Sequence, residues 1–165
     1  MSEKESLFKT IFTENSGKVL HLCLSYTGDM DAAHDLMQET FIKVWKNLSG
    51  FRNQSQISTW IYRIAINTCL SHLRIEKKRR LDPLEEYHRE NIADEASLKE
   101  EQVSQLYKCI AQLEASEGMM ISMVLDEVPY TEIAAVFDIT EGNLRVKIHR
   151  IKQKLTKIYN QYERF

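Results

Sequence analysis

The chain has 165 residues, 43% of them hydrophobic, and a formal net charge of −2. That length holds one domain or two small ones, and that apolar content supports real cores, so disorder throughout is excluded. The small net charge hides segregation: Asp29, Asp31, Asp35 and Glu39 are acidic, Arg74 to Arg80 basic, Asp82 to Glu101 acidic and Arg145 to Lys157 basic. What a polyanion meets is this distribution rather than the sum.

Cys23, Cys69 and Cys109 are widely spaced and form no CxxC pair, which argues against a disulfide framework or a zinc site and fits a reducing compartment. The N-terminus lacks a basic start followed by an apolar run, and no run of 18 apolar residues occurs, so a cytoplasmic protein without membrane insertion is expected. Glycine is scarce, strand-like alternation is absent, and apolar residues recur at i, i+3 and i+4. The expected fold class is all-α.

In chain order, Leu7, Ile11, Val19, Leu22 and Leu24 predict two helical pieces, broken near Asn15-Ser16-Gly17 and stopped by Thr27-Gly28. Asp29 or Asp31 caps the next helix, with Ala32, Leu36, Phe41, Val44 and Leu48 as apolar positions and acids in its first turns, where the helix dipole favours them. Its outer side presents Asp31, His34, Asp35, Gln38, Glu39 and Lys43 as one polar row, suited either to solvent or to a partner helix. Ser49-Gly50 ends this helix.

The stretch from Phe51 to Arg80 joins a polar loop, Arg52-Asn53-Gln54-Ser55-Gln56, to one long helical pattern and a basic run. At 100° per residue, Trp60, Arg63, Asn67, Ser71, Arg74 and Lys78 form one stripe. Ile57, Ile61, Ile64 and Ala65 flank it on one side, and Ile66, Leu70 and Leu73 on the other. The helix is therefore expected to be embedded at both shoulders, with only the stripe in solvent. A ring for base stacking, guanidiniums for phosphate, an amide and then Lys77, Lys78, Arg79 and Arg80 are the groups that hold nucleic acid. The loop side chains donate to and accept from base edges.

From Leu81 to Glu101 the periodicity weakens and acids dominate around Pro83, as in a flexible linker. At about 3.3 Å per residue, such a segment spans up to roughly 65 Å. Val103, Leu106, Ile110 and Leu113 resume a helix, and after Glu117-Gly118 the segment MMISMVL begins another, giving a second small core. Pro129 suits the first turn of a helix over Tyr130 to Phe137. Asp138-Ile139-Thr140 turns the chain, with Ile139 buried. Thr140 caps a final helix in which Leu144, Ile148, Ile151, Leu155 and Ile158 repeat at 4, 3, 4 and 3 residues. A short helix, a three-residue turn and a second helix whose outer face carries Arg145, His149 and Lys152 beside Lys147, Arg150 and Lys154 make a helix-turn-helix. Asn143 and Arg145 stand near the helix start, where such motifs read base edges in the major groove.

Both halves together resemble bacterial RNA polymerase sigma factors of the sigma-70 family, extracytoplasmic-function (ECF) class. Asp31-Ala32-Ala33-His34-Asp35-Leu36-Met37-Gln38-Glu39-Thr40-Phe41 resembles the family's D-x-x-D-L-x-Q-E-x-F segment. Thr59-Trp60-Ile61-Tyr62-Arg63-Ile64-Ala65-Ile66-Asn67 resembles its T-W-L-x-R-I-A-x-N segment. Tyr130-Thr131-Glu132-Ile133-Ala134 and the run Gly142 to Arg150 resemble its second-domain segments. The chain departs from the pattern at Ser71, where Asp is common, at Asp138, where glycine is usual in the turn, and at Pro129, where a capping Ser is common. Asp138 is compatible with a left-handed backbone.

The resemblance implies two helical domains, residues 1–80 (region 2) and 102–165 (region 4), joined by the linker 81–101. It implies that Asp31, Asp35, Gln38 and Glu39 meet the clamp helices of the largest subunit of core RNA polymerase, and that the second domain sits near the flap. Arg52, Asn53, Gln54, Ser55, Gln56, Ser58, Thr59, Trp60, Arg63, Asn67, Arg74, Lys77, Lys78, Arg79 and Arg80 would hold the −10 element of promoter DNA. Thr140, Asn143, Arg145, Val146, Lys147, His149, Arg150 and Lys152 would hold the −35 element. An anti-sigma factor that masks the two domains is a further implied partner. No catalytic residue, metal ligand, cofactor or small-molecule substrate is expected: the chain has no GxxxxGK[ST], HExxH or nucleophile elbow, and its five histidines form no spaced set. The competing function is a free-standing helix-turn-helix regulator, which would shift duplex DNA without polymerase.

Overall fold

The computed structural model describes residues 1–80 and 98–163. The described residues form seven α-helices and no strand: α1 Glu3–Thr27, α2 Met30–Asn47, α3 Ile57–Arg80, α4 Leu98–Ile110, α5 Ala115–Leu125, α6 Tyr130–Phe137 and α7 Glu141–Glu163, with a 3-10 turn at Leu48–Gly50 after α2. The chain is therefore all-α, as its periodicity indicates. Helices α1 to α3 pack around Ile11, Leu22, Phe41, Val44, Ile61 and Ala65, and α4 to α7 around Ile110, Met119, Met123, Ile133, Leu144 and Ile151.

The expected break in the first helix does not occur. Helix α1 runs unbroken from a capping box in which the Glu5 amide donates to Ser2 Oγ (3.2 Å) and the Ser2 amide to the Glu5 carboxylate (3.1 Å). Asn15, a breaker by propensity, is buried and its side-chain amide donates to the Ile11 carbonyl (2.9 Å). Burial of Ile11 on one side and Val19 and Leu22 on the other outweighs the penalty of about 1 kcal/mol for one helical glycine. Gly28, at φ 67°, then closes the helix with its N–H on the Leu24 carbonyl.

A second expected start, after Gly118, is also displaced. Helix α5 begins at Ala115 and passes through Gly118. Gly118 is there for contact rather than for a turn: a Cβ at this position would lie 3.1 Å from the Ser25 carbonyl oxygen of α1 and 3.3 Å from that of Ile110. The two halves of the chain meet at this point. The second small core expected from the sequence is accordingly continuous with the first, in one apolar cluster that extends from Ile11 to Ile151.

Of the expected linker 81–101, residues 98–101 are the first turn of α4, and 81–97 lie outside the described residues. The helix-turn-helix is formed as its turn chemistry requires. Asp138 takes the left-handed conformation (φ 55°, ψ 48°) that a glycine would otherwise supply. The Asn143 amide donates to Thr140 Oγ1 (3.2 Å), so Thr140 caps α7. Pro129 stands one place earlier than expected, at the N-cap of α6, where its carbonyl accepts from the Glu132 and Ile133 amides. Ile139 is half-buried rather than buried.

Candidate nucleic-acid interface

Helix α3 presents the stripe as a continuous surface. Arg63, Asn67, Ser71, Arg74 and Lys78 are exposed and Trp60 is half-buried, while Ile61, Ala65 and Ile66 are buried and Ile57, Ile64, Leu70 and Leu73 are partly covered. Past Leu73 the helix outruns its support, since Ile75 is 53% exposed along with Lys77 and Arg79. The apolar shoulders end there and the basic end projects free of the core.

The loop before α3 folds back over its first turn. Phe51 stacks on Trp60 with ring centroids 4.9 Å apart, and Asn53 adopts φ 55°, which turns the loop. Gly50, Phe51, Arg52, Gln54, Ser55, Trp60 and Arg63 line an open cleft of about 310 Å³. Five of these seven were singled out from the sequence, and the structure brings them together. Phe51 and Gly50 were missed; the signal was an aromatic residue directly before a polar loop.

Helix α7 carries the second cationic surface. Asn143, Arg145, Val146, Lys147, His149, Arg150 and Lys152 are exposed, while Leu144, Ile148 and Ile151 are buried. The Arg145 guanidinium lies over the Tyr130 ring (5.7 Å) and 3.9 Å from Glu141, so the first turn of α7 is held against the start of α6. Lys154 is committed elsewhere: its ammonium contacts Glu117 of α5 at 2.6 Å.

Comparison with known proteins finds a family match for each half of the chain. Residues 11–79 match the family Sigma-70 region 2, and residues 104–155 match Sigma-70, region 4. The chain is 30% identical to the ECF RNA polymerase sigma-E factor of Salmonella typhimurium, over 92% of its own length and 85% of the relative's. It is 29% identical to the RNA polymerase sigma-H factor of Pseudomonas aeruginosa, over 91% and 84%. The chain belongs to the sigma-70 family of RNA polymerase sigma factors. Among solved structures it resembles the sigma factor RpoE of Bartonella quintana, crystallised with the anti-sigma factor NepR, at a TM-score of 0.73 and 21% identity over 93% of this chain and 96% of that one. It also resembles CnrH, in complex with the cytosolic domain of CnrY, at 0.70 and 16% over 95% and 90%. As an ECF sigma factor it directs promoter-specific initiation by RNA polymerase.

The polar row on α2 of this sigma factor is in place. Asp31, His34, Asp35, Gln38 and Glu39 are exposed. Lys43 is half-buried, because its ammonium reaches the Thr68 hydroxyl of α3 (3.2 Å) as well as Glu39 (3.3 Å). It therefore ties α2 to α3 rather than extending the surface.

Two expected −10 residues are not open in this conformation. Thr59 is 4% exposed and Ser58 half-buried, because α6 is seated on the first turn of α3. Both hydroxyls donate to Glu132 Oε1, that of Thr59 at 3.4 Å, and Arg63 Nη2 donates to the Ala135 carbonyl (2.7 Å). On the far side of the same contact, His21 Nδ1 of α1 lies 2.8 Å from Asp126 at the end of α5, with the Tyr107 ring 5.9 Å away. The hydrogen bond to Asp126 raises the His21 pKa above its usual value, against the opposing effect of burial. Beneath it, the Tyr62 hydroxyl is buried without a hydrogen-bond partner, and burial, then the charges of Asp126 and Glu132, hold its pKa well above normal. Among the described residues no helix is long and apolar enough to cross a membrane, and no cluster of acids, histidines and cysteines could hold a metal.

Proposed function

We propose that this sigma factor works as two recognition modules. Residues 1–80 hold polymerase and the −10 element, and residues 102–165 hold the −35 element, with 81–101 as the connection that lets them span a promoter. The observation that carries this reading is the cleft between the loop and α3. It places the Phe51–Trp60 ring pair, the Arg52 and Arg63 guanidiniums, the Gln54 amide and the Ser55 hydroxyl beside a line of exposed cations. A closed duplex hides its base faces, so an open cleft with a ring at its edge suits unstacked bases in a melted strand. In this reading Arg52 to Gln56, Trp60, Arg63 and Asn67 meet the strand, and Arg74 and Lys77 to Arg80 hold phosphates along it. Ser58 and Thr59 join them once α6 has moved away.

On α7, Asn143, Arg145, His149 and Arg150 are set to enter the major groove of the −35 duplex, with Val146 for apolar contact and Lys147 and Lys152 for phosphate. Thr140, whose hydroxyl already accepts from the Asn143 amide, holds the helix start at the groove. Asp31, Asp35, Gln38 and Glu39 of α2 dock on the clamp helices of the largest subunit of polymerase, and the second module lies near the flap. The protein acts in the cytoplasm, without catalytic chemistry, cofactor or small-molecule substrate. An anti-sigma factor is a further partner, which the likeness to a sigma factor crystallised with one supports.

The test is co-purification with core polymerase followed by run-off transcription on genomic fragments. Stable association with core and initiation at discrete sites are expected. A protein that shifts duplex DNA alone and never associates with core would be a free-standing regulator instead.

A further inference from the structure

Two buried sulfurs meet behind the nucleic-acid face. Cys23 of α1 and Cys69 of α3 are both 0% exposed, and the Cys69 thiol donates to Cys23 Sγ at 3.9 Å. One turn further along each helix, the Tyr26 hydroxyl and His72 Nδ1 lie 3.2 Å apart. Both contacts join residues 46 positions apart, so α1 and α3 run parallel and in register along this seam. The same offset sets Val19 level with Ala65 one turn earlier. Both are buried, and the single methyl of Ala65 lets the helices come close. At 100° per residue, Cys69 stands about 180° around α3 from Trp60, directly behind the stripe. The remaining cysteine, Cys109 of α4, is also buried.

We propose that Cys23 and Cys69 form a redox site, in which a small peroxide converts the two thiols to a disulfide that staples α3, and with it the cationic stripe, to α1. Disulfides in a reducing compartment are characteristically transient and redox-sensing. The chemistry runs in two steps. A thiolate sulfur attacks one oxygen of the peroxide, the O–O bond breaks, and the sulfur becomes a sulfenic acid while the other oxygen leaves as water. The partner thiol then attacks that sulfur, the S–S bond forms, the S–O bond breaks and a second water departs. The two sulfurs lose two electrons in all, and the peroxide gains them. The hydrogen bond from Cys69, and then burial, hold the Cys23 thiol well above its usual pKa, so it resists the first step while the seam is closed. Attack therefore falls to molecules in which α1 and α3 have briefly parted. Reclosing returns the partner sulfur to contact and shuts out further peroxide, which favours the disulfide over deeper oxidation. The sulfurs must close from 3.9 Å to about 2.05 Å, so the bond draws α3 more tightly onto α1.

The test treats the purified, fully reduced chain with hydrogen peroxide at neutral pH and maps its peptides by mass spectrometry without reductant. A cross-linked pair holding Cys23 and Cys69, lighter by two hydrogens than the two reduced peptides, is expected, and dithiothreitol should release it. Deuterium exchange of residues 61–70 should slow on the order of tenfold in the oxidised chain, relative to the same chain after reduction. The bond should form faster in urea held below the unfolding transition, where the seam opens more often. Cys109→Ala should leave the cross-link unchanged. Cys69→Ala, checked for folding by circular dichroism, should lose it and carry Cys23 on to sulfinic acid; if that variant does not fold, the wild type and Cys109→Ala carry the test. Thiols that stay intact in the folded chain, yet oxidise once it is unfolded, would overturn the proposal and leave the pair as two small core residues. A disulfide made through Cys109 would overturn it too, and a Cys23–Cys69 bond that leaves exchange at 61–70 unchanged would show that it staples nothing.

Discussion

The two cationic helices of this sigma factor differ in what they have to give up before binding DNA. Helix α7 seats Leu144, Ile148 and Ile151 in the core and leaves Arg145, His149 and Lys152 exposed, with Arg145 held near Tyr130 and Glu141. Helix α3 seats Ile61, Ala65 and Ile66 in the same way, but its first turn is covered and its Ser58, Thr59 and Arg63 already have partners on α6. Similar periodicity thus yields one cationic face that is exposed and one whose first turn is covered. In the proposed reading, duplex recognition by α7 needs only a preformed helix face, whereas a surface for melted strands on α3 is useful only after polymerase has engaged the promoter.

The largest expected effect breaks the comparison at the seat of α7. Leu144→Ala opens a cavity under a fully buried position and should destabilise the protein by about 2–5 kcal/mol, read from urea unfolding. Because the apolar cluster is continuous through both halves, the loss should appear in one transition rather than in a separate early one. Arg145→Ala acts on the exposed face alone. It should cost about 1–3 kcal/mol on the cognate −35 duplex and relax preference at one base pair if the guanidinium is bidentate to guanine. Equal weakening on all sequences would reduce Arg145 to a phosphate contact.

On the covered surface, Tyr62→Phe removes a buried hydroxyl that has no partner, so it should raise stability by about 1 kcal/mol. A loss of stability would mean that the hydroxyl makes a bond on which the fold depends. The smallest effect is on pH. The His21 pKa is raised by Asp126, so the pair contributes fully below the ordinary histidine value of about 6.5 and its contribution is lost as pH rises through the raised value. Protection at residues 58–63, after division by the intrinsic base-catalysed exchange rate at each pH, should therefore fall from mildly acidic to mildly alkaline buffer, and His21→Asn should flatten that dependence. Because His21 is partly exposed, solvent screening keeps the change modest.

Both helix faces were legible in the sequence because they rest on local periodicity. The stripe from Trp60 to Lys78 and the row from Arg145 to Lys152 follow from 100° per residue, and the structure exposes the row and, past a half-buried Trp60, the stripe from Arg63 to Lys78. The turn was legible too, since Asp138 and Thr140 act through their own backbone neighbourhood. What could not be read depends on distant residues. Gly118 looks like a helix breaker until Ser25 of α1 is placed 3.1 Å from where its Cβ would be. Asn15 looks like a break until the apolar residues around it are buried. Glu132 belongs to a recognisable family segment, yet nothing local says that its carboxylate crosses to Ser58 and Thr59. Partner choice across more than 70 positions of sequence is a property of the packed halves.

The most direct test of the central claim, that the loop and α3 act on melted promoter strand, compares initiation by reconstituted holoenzyme on two templates. One carries a promoter mapped by run-off transcription as closed duplex, and the other carries it mismatched across the −10 region. Gln54→Ala and Asn67→Ala suit this purpose, since both residues are exposed and neither takes part in the contact with α6. Initiation should fall sharply on the duplex and much less on the mismatched template, with core binding unchanged. Equal defects on both templates, in folded variants that still bind core, would contradict a role for this surface in strand opening.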